Sequence, residues 1–398
     1  MRIKESLYWV GVLNPSLRCF DFIPTRFGTT YNSYLITAER PALVDGVLRK
    51  FSDLHLRKIR DIIPTEKLEY LVVNHTEPDH SSGVGAILDA APQITVVGTA
   101  TAIDFLKQIL NRDFRSRAVD DGETLDLGNR HTRFIRAPFW HWPDTMFTYL
   151  VEDRVLLPCD GFGSHFCDER MFDDQVGKFE EEFYDYYNHI MRAFAPKIID
   201  GLNCLKGLPI DVIGPSHGPI LRTNPQSYIE RYRQWATPVE DPRRRVVVFF
   251  ASIYGNTRKI ALAVAEGVGE AADVEMLDAF ELDPERARDA IERAHGIVFG
   301  SVTLNGDAAP AIWNLLTLLK TIDLRGKKSA AFGSYGWSGE ALSLIQDRLK
   351  GLRIPVVESD LRFRFTPTAD DLARSRAFGR EFATKLAEAH NPPQSPGK

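Results

Sequence analysis

No stretch of this chain stays apolar for the roughly 20 residues that cross a bilayer, so no membrane-spanning helix is expected. The opening residues, Met1-Arg2-Ile3-Lys4-Glu5-Ser6, lack the apolar core of a secretory signal. Cysteine is scarce. Cys19, Cys159, Cys167 and Cys204 form no CxxC pair, which argues against a disulfide framework and a rubredoxin-type iron site and fits a reduced cytoplasm. All four are expected to be small buried hydrophobes. A net charge of −5 offers nothing to nucleic acid or an anionic membrane. There is no solenoid repeat and no low-complexity tract. What remains, 44% hydrophobic and 26% charged over 398 residues, describes an ordinary soluble protein too long for one core, hence two domains or three.

A seam is visible at Trp235-Ala236-Thr237-Pro238-Val239-Glu240-Asp241-Pro242-Arg243-Arg244-Arg245, where two prolines and mixed charge replace apolar residues. It predicts domains at 1–240 and 244–389, with 390–398 a polar, proline-rich disordered tail. Before the seam, short β-rich segments such as Tyr34-Leu35-Ile36, Leu71-Val72-Val73-Asn74 and Arg154-Val155-Leu156-Leu157 alternate with helical stretches, including residues 84–88, 102–110 and 180–193. After it, strands at 246–250, 296–300 and 328–332 alternate with helices at 258–268, 310–319 and 340–349. That rhythm predicts an α/β domain with a doubly wound parallel sheet.

The densest chemistry lies in His75-Thr76-Glu77-Pro78-Asp79-His80, which crowds two imidazoles and two carboxylates into one turn after a buried strand. Their mutual repulsion demands a cation. Three more metal-capable residues end strands in the same way: His141 in Phe139-Trp140-His141-Trp142-Pro143-Asp144, Asp160 in Leu157-Pro158-Cys159-Asp160-Gly161, and His217 in Pro215-Ser216-His217-Gly218. Seven ligands exceed one tetrahedral ion, so two metals with a shared carboxylate are expected on one strand edge. His55, His131, His189, His295 and His390 read as ordinary packed or surface histidines. His165, close to Asp160 in sequence, reads as structural or as a neighbour of the ligands.

The pattern resembles the metallo-β-lactamase superfamily, whose usual core is HxHxDH, and implies its αβ/βα sandwich. Glu77 replaces the second histidine, and a mixed carboxylate–imidazole set suits iron or manganese better than zinc. Within the superfamily HxExDH is the mark of the flavodiiron proteins. The resemblance implies two iron ions: one on His75, Glu77 and His141, the other on Asp79, His80 and His217, with Asp160 bridging.

A second constellation follows the strand Val246-Val247-Val248-Phe249-Phe250. Ala251-Ser252-Ile253-Tyr254-Gly255-Asn256-Thr257 brings hydroxyls and backbone N–H groups to a helix start, a phosphate cradle. It has no lysine of the GxxxxGK[ST] kind, which favours a monophosphate over a nucleoside triphosphate. It resembles the flavodoxin loop that holds the phosphate of FMN, carried here by Ser252, Tyr254, Gly255, Asn256 and Thr257. Two later loops sit where that fold meets the flavin ring: Ser301, Thr303, Asn305 and Gly306 in one, and Ser334, Tyr335, Gly336 and Trp337 in the other. Tyr335 or Trp337 is expected to stack on it.

Together these features resemble a flavodiiron protein over nearly the whole chain. The resemblance implies a cytoplasmic oxidoreductase reducing dioxygen to water, nitric oxide to nitrous oxide, or both. FMN and the diiron centre would each hold two electrons. No rubredoxin or flavin-reductase extension follows, so the two-domain class is expected, with rubredoxin, a flavin reductase or a reduced deazaflavin as electron donor. A head-to-tail homodimer or dimer of dimers is also implied, with no nucleic-acid or membrane partner. Two alternatives compete: a zinc hydrolase fused to a flavodoxin, opposed by Glu77, and a carrier with a vestigial first half, opposed by the intact ligand set.

Overall fold

The structure, a computed structural model, describes residues 1–20, 23–237 and 243–388. The chain divides into two compact units, Met1–Thr237 and Pro238–Lys398. Most of the expected linker (238–242) and the expected tail (390–398) lie outside the described residues; Trp235 and Ala236 close the helix Pro225–Ala236. No helix among the described residues is long and apolar enough to cross a membrane.

The first unit stacks a six-stranded sheet on a five-stranded one. In spatial order the first holds Leu7–Trp9, Tyr34–Ile36, Ala42–Val44, Tyr70–Val72, Thr95–Gly98 and Ser116–Ala118. The second holds Thr124–Asp126, His131–Arg136, Met146–Leu150, Val155–Leu157 and Val212–Ile213. The period-two alternation of strands decides which residues meet. Tyr34, Ile36, Val44 and Val72 point inwards to Phe134, Met146, Val155 and Leu157. Leu35, Leu43 and Leu71 face outwards onto the helices Ser52–Arg60, Val84–Ala90 and Ala100–Leu110. On the far side Phe147, Tyr149 and Leu156 pack against Phe183, Leu202 and Tyr232 from helices. The result is the expected sandwich of two sheets between two helical layers.

The second unit has one sheet, ordered Asp273–Asp278, Arg245–Ala251, Gly296–Leu304, Lys328–Tyr335, Val356–Val357, and these strands are parallel throughout. This is the 2-1-3-4-5 order of flavodoxin-like folds. Burial on both faces explains its unbroken apolar runs. Val247 and Phe249 face one helical layer, and Val246, Val248 and Phe250 face the other.

Two expectations need correction. Only Cys159 is buried; Cys167 is half-buried, and Cys19 and Cys204 are exposed. A weakly polar thiol on a short surface strand or at a helix end needs no core. The helix expected at 180–193 is α-helical only over Glu180–Tyr186, then widens into a π-helical turn, Tyr187–Met191, and tightens into a 3₁₀ turn, Arg192–Phe194.

Candidate metal centre and flavin loops

The hexapeptide leaves the strand Tyr70–Val72 and is only partly a loop. Pro78 starts a helical turn, Pro78–Ser81, that carries Asp79 and His80, with proline at a position where its missing N–H costs nothing. His141, Asp160 and His217 follow the strands His131–Arg136, Val155–Leu157 and Val212–Ile213 of the other sheet. The ligands thus come from two facing sheets rather than one edge. Asn74 ties the sheets together there: its side chain donates to Leu157 O at 3.2 Å and accepts from Thr148 at 2.7 Å.

The seven side chains form two adjoining groups. Glu77 Oε2 lies 3.3 Å from His75 Nε2 and 3.1 Å from His141 Nε2. Asp79 reaches His80 Nε2 at 3.3 Å and His217 Nε2 at 3.1 Å. Asp160 faces both groups. Its Oδ2 is 3.3 Å from His75 and 3.0 Å from His141, and its Oδ1 is 3.1 Å from His80 and 3.4 Å from His217. The geometry therefore brings together all seven residues singled out in the sequence, with Asp160 between the groups.

The charges show what the site is built to hold. Burial alone would lower the pKa of His75, but hydrogen bonds to Asp144 and Glu77 and the charge of Asp160 raise it well above the ordinary value. Burial likewise opposes protonation of His80, yet Asp79 and Asp160 push it up to about 9. Asp160 resists its own desolvation and sits well below the usual carboxylate range because His80 and His141 face it. The carboxylates thus favour positive charge on the imidazoles that face them. Both oxygens of Asp79 are buried without a hydrogen-bond partner. Buried anions and orphaned lone pairs around four Nε2 atoms fit a pair of divalent metal ions.

Residues that the sequence did not single out hold this arrangement. Asp144 is buried, accepts from the Thr76 N–H at 2.8 Å and hydroxyl at 2.7 Å, and lies 3.3 Å from His75 Nδ1. A carboxylate only accepts, so His75 Nδ1 carries the hydrogen and Nε2 is left for a metal. His217 is fixed likewise by Thr30 O, 2.6 Å from its Nδ1. Tyr186 donates its hydroxyl to Asp160 Oδ1 at 3.0 Å. His165 is buried one layer behind, linked to His217 through Thr29 at 3.0 and 3.3 Å. Asp45, His141 and Cys159 adopt left-handed backbone conformations, with φ of 56°, 56° and 51°, strain of the kind that concentrates at functional sites.

A cavity of about 200 Å³ opens over the cluster. Glu77, His141, Asp160 and His217 reach it, and Phe20, Ile23, Trp142 and Ile190 wall it. His189, expected to be an ordinary histidine, lines it as well. His55 is packed in the core, and His131 pairs with Glu152 at the surface. Half-buried His295 accepts from the Arg245 N–H; His390 lies outside the described residues.

In the second unit the phosphate loop ends at Gly255, whose φ of 80° is a conformation glycine adopts freely. Gly255 begins the helix Asn256–Gly269 with no capping side chain of its own, and a Cβ there would meet nothing within 4 Å. Ser252 Oγ accepts the Arg258 N–H of the first turn at 3.2 Å, and an open helix start flanked by a hydroxyl fits a phosphate. Tyr254 and Trp337 stand 89% and 78% exposed, bare aromatic rings that fit a planar partner. Other predicted residues are committed to the fold. Thr257 and Ser334 bond each other at 2.8 Å across two of the loops. Ser301 donates to Val302 O and accepts from the Ala309 N–H. Asn305 and Gly306, both with positive φ, join paired Leu304 and Asp307 as a two-residue hairpin turn beyond Thr303. Tyr335 ends its strand, followed by Gly336.

Comparison with known proteins agrees with both halves. The profile of the ODP family beta lactamase matches residues 29–218, and that of flavodoxin matches residues 248–379. The flavo-diiron protein FprA2 of Clostridium acetobutylicum is 37% identical, over 97% of this chain and 99% of its own. The nitric oxide reductase of Moorella thermoacetica is 36% identical, over 97% and 98%. Among solved structures, the rubredoxin oxygen:oxidoreductase of Desulfovibrio gigas superposes with a TM-score of 0.73 at 26% identity, over 98% of this chain and all of its own. With two metal-ready groups around one aspartate in a lactamase-like unit, a flavodoxin-like unit after it, and relatives aligned end to end, this chain belongs to the flavodiiron protein family.

Proposed function

We propose that His75, Glu77 and His141 hold one iron, that Asp79, His80 and His217 hold the other, and that Asp160 bridges them. FMN would be held by the loops containing Ser252–Thr257, Ser301–Gly306 and Ser334–Trp337. The protein is an oxidoreductase of the flavodiiron type, reducing dioxygen to water or nitric oxide to nitrous oxide with electrons passed through FMN. The observation that carries this reading is Asp160, whose two oxygens face two separate histidine–carboxylate groups. When bound, the irons and the flavin supply the electrons and the binding point for the gas.

The chain's own residues prepare that chemistry. Asp144 and Thr30 aim the Nε2 lone pairs of His75 and His217 into the site. Tyr186 holds Asp160 from behind. Phe20, Ile23, Trp142 and Ile190 surround a cavity suited to a diatomic gas, and their apolar surfaces disfavour water and charged competitors.

The Desulfovibrio relative is named for rubredoxin. A rubredoxin, a flavin reductase or a reduced deazaflavin would serve here as donor. A head-to-tail homodimer, alone or as a dimer of dimers, would bring the flavin of one subunit to the irons of the next. The test is metal and flavin analysis, then anaerobic photoreduction and separate challenges with dioxygen and nitric oxide. Two irons and one FMN per chain, with consumption of either gas, are expected. Stoichiometric zinc without iron, and no consumption, would favour a hydrolase instead.

A further inference from the structure

Reduction of either gas consumes protons as well as electrons, and the cavity has few groups able to give them. Glu77, His141, Asp160 and His217 are engaged with the cluster. Tyr186 has its hydroxyl committed to Asp160, and Phe20, Ile23 and Ile190 have no labile proton. Among the described residues lining the cavity, His189 is the ionisable group with neither commitment.

Its ring is held in a definite way. His189 Nδ1 lies 2.7 Å from Asp185 O. A carbonyl oxygen only accepts, so Nδ1 keeps its hydrogen whether the ring is neutral or charged. The proton that comes and goes is therefore on Nε2, and the ring need not turn between the two forms. His189 also sits inside the π-helical turn Tyr187–Met191, an interruption found frequently at functional sites. The neighbouring Arg192 donates to the side-chain oxygen of Asn188.

We propose that His189 is the proton donor of this cavity, an assignment that rests on the gas-reducing function stated above. The imidazolium gives its Nε2 proton to an oxygen atom of the substrate, and the neutral ring regains a proton from water. For dioxygen, the O–O bond breaks and four O–H bonds form, using four protons and four electrons from the reduced cofactors. For nitric oxide, an N–N bond forms between two molecules, one N–O bond breaks and two O–H bonds form, using two of each. Positioned general acids contribute roughly 10²- to 10⁴-fold to such steps.

The test uses the iron- and FMN-loaded protein with His189→Gln and His189→Ala. Both variants are expected to keep their metal and flavin content and to turn over about 100-fold more slowly. Imidazole buffer should restore His189→Ala, which leaves room for it, and leave the wild type unchanged. A second measurement needs no turnover: ¹⁵N NMR of the metal-free protein, with the ring assigned by its loss in His189→Gln, should show hydrogen on Nδ1 and not on Nε2 in the neutral form. Rates within twofold of wild type, a loss of rate that imidazole fails to restore, or the opposite tautomer would overturn the assignment. Loaded wild-type protein that consumes neither gas would instead defeat the functional reading on which it rests.

Discussion

Replacing Asp144 with asparagine changes one atom and should weaken one metal position. The buried carboxylate accepts both hydrogen bonds of Thr76, at 2.8 and 2.7 Å, and faces His75 Nδ1 at 3.3 Å. An asparagine oxygen can keep the Thr76 contacts, but its amide then turns two donors towards His75. The imidazole answers by moving its hydrogen to Nε2, the atom that lies 3.3 Å from both Glu77 and Asp160. Without a lone pair there it is no ligand. Loss of such a supporting carboxylate typically weakens metal affinity by about 10- to 100-fold, or ~1.4–2.7 kcal/mol. The 3.3 Å contact is long for a hydrogen bond, which places the expected loss nearer the tenfold end. Anaerobic titration of metal-free protein with ferrous ion would resolve it. The position on His75, Glu77 and His141 should weaken, while that on Asp79, His80 and His217 keeps its affinity. Two positions of wild-type affinity, or equal weakening of both, would refute the idea that Asp144 acts by fixing the His75 tautomer.

Other outcomes follow from the same structure. Tyr232→Phe removes the hydroxyl that accepts the buried Phe162 N–H at 3.1 Å and should destabilise the first unit by about 1–3 kcal/mol in urea unfolding; an unchanged midpoint would show that the N–H finds another partner. Gly255→Val forces a branched side chain into φ of 80°; it should cost about 1–2 kcal/mol and weaken FMN retention, read by flavin fluorescence, with full retention the contrary result. His55 is buried and its pKa is lowered from 6.5 to about 3, chiefly by desolvation. The unfolded chain therefore binds a proton that the folded one refuses, and His55 makes stability fall as pH drops from 6.5 towards 3, by at most about 1.4 kcal/mol per unit. His55→Gln should reduce the stability difference between pH 7 and pH 5 by up to ~2 kcal/mol, and an unaltered difference would count against it.

Much of this was legible because it rests on local pattern. The buried parallel strands of the second unit are unbroken apolar runs, and the expected bounds of its helices at 258–268 and 310–319 lie within two residues of Asn256–Gly269 and Pro310–Leu318. The strand Asp273–Asp278 was passed over because polar residues alternate through it, as befits an edge. The seven candidate ligands stood out because imidazole and carboxylate so close together have few other uses. Asp144 and Tyr186 did not, since their importance lies in contacts with His75 and Asp160 made across the fold. His189 does not stand out either, for a related reason. Nothing in its neighbours announces a π-helical turn, and only the packed structure puts it in the lining of the same cavity as Asp160 and His217. The Asn305-Gly306 pair carries a clear hairpin signal of its own, and the turn it makes between Leu304 and Asp307 lies within the loop expected to meet the flavin.

Charge explains why Glu77 matters beyond its place in a motif. Glu77, Asp79, Asp160 and Asp144 put four carboxylates beside four imidazoles, with buried Asp45 close to His75 and His80, and divalent cations offset that charge. The same carboxylates favour protons on His75 and His80, raising both pKa values, and metal ions compete with those protons. Loading must therefore expel those protons, so metal affinity should weaken as pH falls. A single ion leaves much of the buried negative charge unmatched, at high cost in a low dielectric. Glu77 supplies a hard anionic oxygen where the HxHxDH pattern has a third imidazole, and a donor of that kind shifts the preference of the centre from zinc towards iron or manganese.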